Sequence, residues 1–146
     1  MFPACSFDGF AQQPTTPEAP QAPASAGPGF SDARKLIQQG KIDEAIAELQ
    51  GLETRDPSAK GVSFEIGAAY YKKSDYSKAI EYLKKAVSTD PTNDEATQLL
   101  GLSYYLNGHP TEAIPLLERV QGWYPRANVD AAYILGVCYI QTKNYD

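Results

Sequence analysis

Residues 66–91 read IGAAYYKKSDYSKAIEYLKKAVSTDP, and residues 100–125 read LGLSYYLNGHPTEAIPLLERVQGWYP. The second stretch repeats the plan of the first at an interval of 34 residues. Working outward, Ala-Ile occurs at Ala45-Ile46, Ala79-Ile80 and Ala113-Ile114. A leucine follows at Leu49, Leu83 and Leu117, and a proline closes each unit at Pro57, Pro91 and Pro125. A fixed period of this length means stacked supersecondary units, none of which buries its apolar face alone. Stacked units present extended surfaces, so the period points toward binding rather than toward a buried reaction chamber.

The apolar spacing inside a unit is helical. Ile66, Tyr70, Ala79, Leu83 and Ala86 fall at three- and four-residue steps within two segments, which predicts helices over 62–73 and 76–89. Between them, Ser74-Asp75 offers side-chain oxygens to cap the second helix. Thr92-Asn93-Asp94-Glu95 has the Ser/Thr-x-x-Glu spacing of a capping box, which predicts Thr92 as the cap of the following helix. Asn107-Gly108 has helix-periodic flanks, so it is read as a left-handed helix C-cap rather than a hairpin turn. Gly67 and Gly101 are again 34 apart in mid-helix, where glycine costs about 1 kcal/mol against alanine and implies close approach by a neighbouring helix. Ala79 and Ala113 are the expected facing residues. Gly27-Pro28-Gly29 bars an early helix start, which makes Ser31 the expected first N-cap. Pro115 falls inside the helix that opens near Pro110, and a mild bend is expected there.

Leu/Ile-Gly-x-x-Tyr, then Ala, then a large apolar residue four on, then Pro, resembles the tetratricopeptide repeat. Ile66-Gly67, Tyr70, Ala79, Leu83, Ala86 and Pro91 carry the resemblance in one unit. Leu100-Gly101, Tyr104, Gly108, Ala113, Leu117 and Pro125 carry it in the next. The first unit matches in its second half (Gly40, Ala45, Leu49, Pro57), with Ala33 and Leu36 where Gly and Tyr would stand. A fourth unit opens at Leu135-Gly136 and Tyr139, one residue out of step. The resemblance implies an all-α, right-handed solenoid of antiparallel helix pairs with a concave groove. Repeats are expected at about 31–58, 59–92 and 93–126, with a half repeat at 127–146.

Composition divides the chain. Residues 1–30 hold six of the eleven prolines and no Lys or Arg, so too little apolar surface is present to offset ordering entropy, and a disordered tail is expected. Gly9-Phe10-Ala11-Gln12-Gln13 ahead of a Pro/Thr/Ala/Gln stretch resembles the join between a bacterial signal peptide and its tether. The N-terminus lacks a basic region and a long apolar core. Exported and cytoplasmic locations therefore stay equally open. Net charge is −5, which argues against nucleic-acid binding, since that needs a basic stripe. Lys72-Lys73 and Lys84-Lys85 are expected on solvated helix faces. No apolar run is long enough to span a membrane. Cys5 and Cys138 make no disulfide framework.

In this family the first helix of each pair lines the groove. Carried over by position, the resemblance assigns Arg34 and Gln38, then Phe64, Ala68, Tyr71 and Lys72, then Gln98, Leu102 and Tyr105, then Tyr133, Val137 and Ile140. Such a surface suits an extended or helical protein or peptide segment with apolar anchors. Phe64, Tyr71, Tyr105 and Tyr133 would be those anchors, with Lys72 and Gln98 adding polar contacts. The clamp that holds chaperone C-terminal carboxylates in this family needs Lys, Asn and Arg where Phe64, Ala68, Glu95, Gln98 and Leu102 stand, so chaperone-tail recognition is not expected. No catalytic constellation, metal site or cofactor motif is read: His109 is the one histidine and sits in a turn, and Cys138 lies in an apolar helix. Trp123-Tyr124 is expected beneath the turn at Pro125. Residues 131–140 are apolar on every face, which a terminal helix should not be. Either the solenoid continues beyond residue 146, with the chain as docking arm of a larger protein, or a partner or second copy covers the helix.

Overall fold

Seven helices in sequence account for the residues that the computed structural model describes, 28–123 and 129–143, and no strand occurs among them. They are α1 (Pro28–Gln38), α2 (Ile42–Arg55), α3 (Val62–Lys72), α4 (Tyr76–Thr89), α5 (Asp94–Leu106), α6 (Pro110–Trp123) and α7 (Val129–Thr142). Each helix packs on the next, and beyond neighbours only α1 with α3, α3 with α5 and α5 with α7 touch. The odd-numbered helices therefore form one layer and the even-numbered helices the other. This is the nearest-neighbour connectivity of a solenoid. Most of the tail expected at residues 1–30, and the packing expected of Trp123-Tyr124, lie outside the described residues.

Every first helix ends the same way. Gly40, Ser74, Gly108 and Lys143 all have positive φ, at 79°, 65°, 81° and 57°. In the first three units the residue after this one donates its N–H back five positions, Lys41 to Leu36, Asp75 to Tyr70 and His109 to Tyr104, at 2.8–3.0 Å. These bonds satisfy carbonyls that the helix end leaves free and reverse the chain within one residue. Ser74 is thus the left-handed turn residue, and Asp75 alone caps α4, accepting from the Lys78 N–H. The left-handed reading of Gly108 holds.

The turns between units follow a second rule. Asp56 Oδ1 accepts from the backbone N–H and hydroxyl of Ser58, and Asp90 Oδ1 accepts from those of Thr92. Asp-Pro-Ser and Asp-Pro-Thr are 34 residues apart, with proline setting φ inside each turn. Thr92 is committed to this turn, so it does not cap α5. Asn93 does, accepting from the Ala96 N–H at 2.8 Å. The first helix also departs from expectation, because α1 starts at Pro28 rather than after a Ser31 cap. Proline lacks only an N–H that a first turn leaves unused. Starting there lets Phe30 enter the core and sets Gly29 against Leu52.

Helix contact is closest at the glycines. A Cβ at Gly67 would lie 2.7 Å from Leu83 Cγ, and one at Gly101 would lie 2.8 Å from a Leu117 methyl. The facing residues are therefore the leucines, not Ala79 and Ala113. Those alanines are fully buried one turn earlier on the same helices. A leucine seated over a glycine brings the two backbones together while still filling the space between them. Pro115 stands beyond the first turn of α6 with its ring exposed, so α6 lacks the bond its N–H would have made.

Candidate functional site: the face of the odd-numbered helices

The odd-numbered helices carry the expected groove residues in register. Phe64, Gln98 and Tyr133 occupy one column, Ala68, Leu102 and Val137 a second, and Tyr71, Tyr105 and Ile140 a third. Their exposure varies along the stack. Phe64 and Leu102 are buried, at 8% and 7%, and form the floor. Ala68, Tyr71, Gln98, Tyr105 and Val137 are half-buried, and Lys72 is exposed. Tyr133 and Ile140, at 73% and 63%, are exposed large apolar side chains of α7. Tyr71 stacks edge-on against Tyr76 with ring centres 5.8 Å apart, and burial pushes its phenol above the ordinary tyrosine value, with smaller effects from Tyr76 and Asp130.

Beside Phe64 opens a cleft of about 490 Å³, lined by Phe30, Arg34, Lys60, Phe64, Glu65 and Asn93 among others. Arg34 does not stand free in it. Its Nε donates to Glu65 Oε1 at 3.0 Å and its second nitrogen binds the same oxygen. Glu65 is buried, so this pairing supplies the partner that a buried carboxylate requires. The hydrogen bond to Glu65, and the fields of Glu65 and Glu95, hold the guanidinium above its usual value. Of the two cations among the expected groove residues, Arg34 is thus neutralised, whereas Lys72 is exposed.

Glu95 and Asp130, both exposed, give the N-terminal edge of this face an acidic character that the residue spacing alone did not single out. A signal was present: Glu95 and Asp130 are 35 residues apart, the same step that separates Gly101 from Gly136. The lysine pairs expected to be solvated are exposed, and two of them bind across helices, Lys73 to Asp43 and Lys85 to Glu53. His109 is exposed, 3.4 Å from the Asn107 amide and edge-on to Tyr104. Cys138 is fully buried, and desolvation raises its thiol above the ordinary value, which suppresses the thiolate. Among the described residues no group of three or more His, Cys, Asp or Glu is placed to hold a metal ion, and no helix is long and apolar enough to cross a membrane.

Solved structures share this architecture. The chain aligns with MamA from Desulfovibrio magneticus RS-1 at a TM-score of 0.73 and 20% identity, covering 81% of this chain and 66% of that one. It aligns with YrrB, described as a protein with an unusual peptide-binding site, at 0.72 and 23% identity, covering 79% and 59%. The second such domain of human RPAP3, solved with an HSP70 peptide, aligns at 0.68 and 21% identity, covering 75% and 91%. The chain spans about two thirds of the length of the MamA structures it matches. No curated protein matches it in sequence. Residues 32–94 match the tetratricopeptide repeat model, and residues 72–146 match the model for anaphase-promoting complex, cyclosome, subunit 3. With the 34-residue register and the paired helices, these matches make the chain a member of the tetratricopeptide repeat family.

Proposed function

We propose that the chain is a non-catalytic interaction scaffold whose odd-numbered helices hold a protein or peptide segment across Tyr71, Gln98, Leu102, Tyr105, Tyr133, Val137 and Ile140. The observation that carries this reading is the run of partly exposed aromatic and aliphatic side chains on consecutive first helices, at a repeat spacing suited to successive anchors on one ligand. Aromatic residues of this kind lead binding hot spots. Phe64 and Leu102 shape the floor beside Ala68, and Lys72 closes one end with a solvated charge. The Arg34–Glu65 pair leaves Glu95 and Asp130 to set the local field, so the segment is apolar with neutral or basic flanks. That separates it from the acidic peptide bound to the RPAP3 domain. Support also comes from relatives whose descriptions name a peptide-binding site or a multi-protein complex.

Panning a displayed peptide library against the full chain tests this. Enriched sequences should carry aromatic or aliphatic anchors beside Lys or Arg. Capture should fall when Tyr71 and Tyr105 are both changed to alanine, with helical content by circular dichroism unchanged. Peptides that bind the double variant as well as wild type, or a set dominated by acidic sequences, would remove the assignment.

A further inference from the structure

Ahead of the described residues the chain carries a second period. Pro14, Pro17, Pro20 and Pro23 stand three residues apart, with Glu18 the one charge among residues 14–23. In polyproline II geometry three residues make one turn and rise about 9 Å, so prolines at that step share one ridge. The face of the odd-numbered helices has a matching step. Its middle column is Arg34, Ala68, Leu102 and Val137, one residue from each of α1, α3, α5 and α7. Successive helices of this layer touch, and packed helices lie about 8–10 Å apart. Four prolines and four helices therefore share one spacing. A helical ligand rises only about 1.5 Å per residue and would need anchors about six residues apart to make the same steps.

We infer that residues 14–23 of this chain occupy its own groove when no partner is bound, so that an incoming segment must displace them. The inference rests on the groove reading above. Pro23 lies along the aliphatic stem of Arg34, whose charge is spent on Glu65. Pro20 sits over Ala68, whose small side chain leaves room for a ring between Phe64 and Tyr71. Pro17 meets Leu102 beside Tyr105, and Pro14 meets Val137 between the exposed Tyr133 and Ile140. Aromatic-lined grooves take proline ridges because such a ligand is stiff before it binds. Direction follows from the join, since Pro23 is the proline of the four nearest the start of α1 at Pro28. Five residue steps reach at most about 17 Å, and Arg34 lies about 9 Å along α1 from Pro28, so the chain can turn back over its own first helix. Charge matches as well. Glu18 falls between Pro17 on α5 and Pro20 on α3, beside Lys72, the exposed cation of the groove residues. A short tether holds the segment at an effective concentration of about millimolar, so weak contacts suffice.

The test compares the full chain with a full-length variant in which residues 14–23 are scrambled, keeping composition but breaking the three-residue step. A fluorescently labelled peptide of residues 11–24 is titrated into each and followed by anisotropy. Saturable binding to the scrambled chain is expected. Binding to the wild-type chain should be about tenfold weaker or more, because its own segment already covers the face. In the scrambled chain, Lys72→Glu, at an exposed position, should weaken the peptide by about threefold, and the Tyr71→Ala, Tyr105→Ala double variant should abolish its binding. Absence of saturable binding to the scrambled chain, equal binding to both chains, or binding indifferent to these variants overturns the inference. So does a dimer in sedimentation velocity that scrambling dissociates, because the segment would then lie on a second copy. Library peptides that bind the scrambled chain where the tail peptide does not would remove this inference and leave the groove reading standing. Library peptides that bind neither chain would remove both.

Discussion

At the scale of single residues, glycine and its substitutes do most of the specifying. Gly67 is required by contact: an added Cβ meets Leu83 side-chain atoms at 2.7 and 3.0 Å and the Leu83 backbone nitrogen at 3.2 Å. Gly67→Ala should therefore destabilise by about 1–3 kcal/mol, the usual penalty of overpacking. Gly136→Ala meets nothing and adds helix propensity, so it should stabilise by up to about 1 kcal/mol. Denaturant titration of the two variants checks the opposite signs. Ser74 holds a left-handed φ of 65° where units one and three use glycine. A side chain there costs about 1–2 kcal/mol of steric strain. Ser74→Gly should recover part of it, raising the midpoint of thermal unfolding. Unchanged or lowered melting would mean that the Ser74 side chain offsets its own strain.

Elements are ordered by their ends. The Asp-Pro-Ser and Asp-Pro-Thr turns aim α3 and α5, and in each the aspartate accepts two bonds from the residue two positions on. Those bonds from Thr92 hold the Asp90 carboxyl below its ordinary value. A carboxyl depressed in the folded state contributes stability that is present above its unfolded value, about 3.9, and is lost as pH falls through the lower folded value. Asp90→Ala should thus melt lower than wild type near neutrality, with the difference shrinking in strong acid. Melting curves from pH 6 downward to about pH 2 read this directly. A difference independent of pH would assign the turn to proline alone. The sequence signal for these turns was complete, since Asp56 and Asp90 share the 34-residue step. The cap spacing at Thr92 nonetheless predicted the wrong residue. Two adjacent side chains can each serve as caps, and only the folded turn shows which one is already engaged.

The whole molecule behaves as a row of neighbours. The α1–α2 pair and the α5–α6 pair share no contact among the described residues. Leu49→Ala and Leu117→Ala each empty a fully packed site and should cost about 2–5 kcal/mol. Their effects should add to within about 0.5 kcal/mol in a double-mutant cycle. A larger coupling term would mean cooperativity carried along the solenoid rather than between adjacent units. The helices, their pairing and the family were legible without coordinates, because a 34-residue period and a 3.6-residue apolar stripe are both one-dimensional signals that local physics converts into structure. The columns that Phe64, Gln98 and Tyr133 and their neighbours form along the odd-numbered helices follow from the same register. Two matters waited for the fold: that leucine rather than alanine fills the glycine sockets, and that Arg34 is spent on Glu65. Each depends on which side chain reaches a given point from another helix. Sequence spacing orders residues along one helix, whereas occupancy of a point between helices is decided only when both backbones are placed.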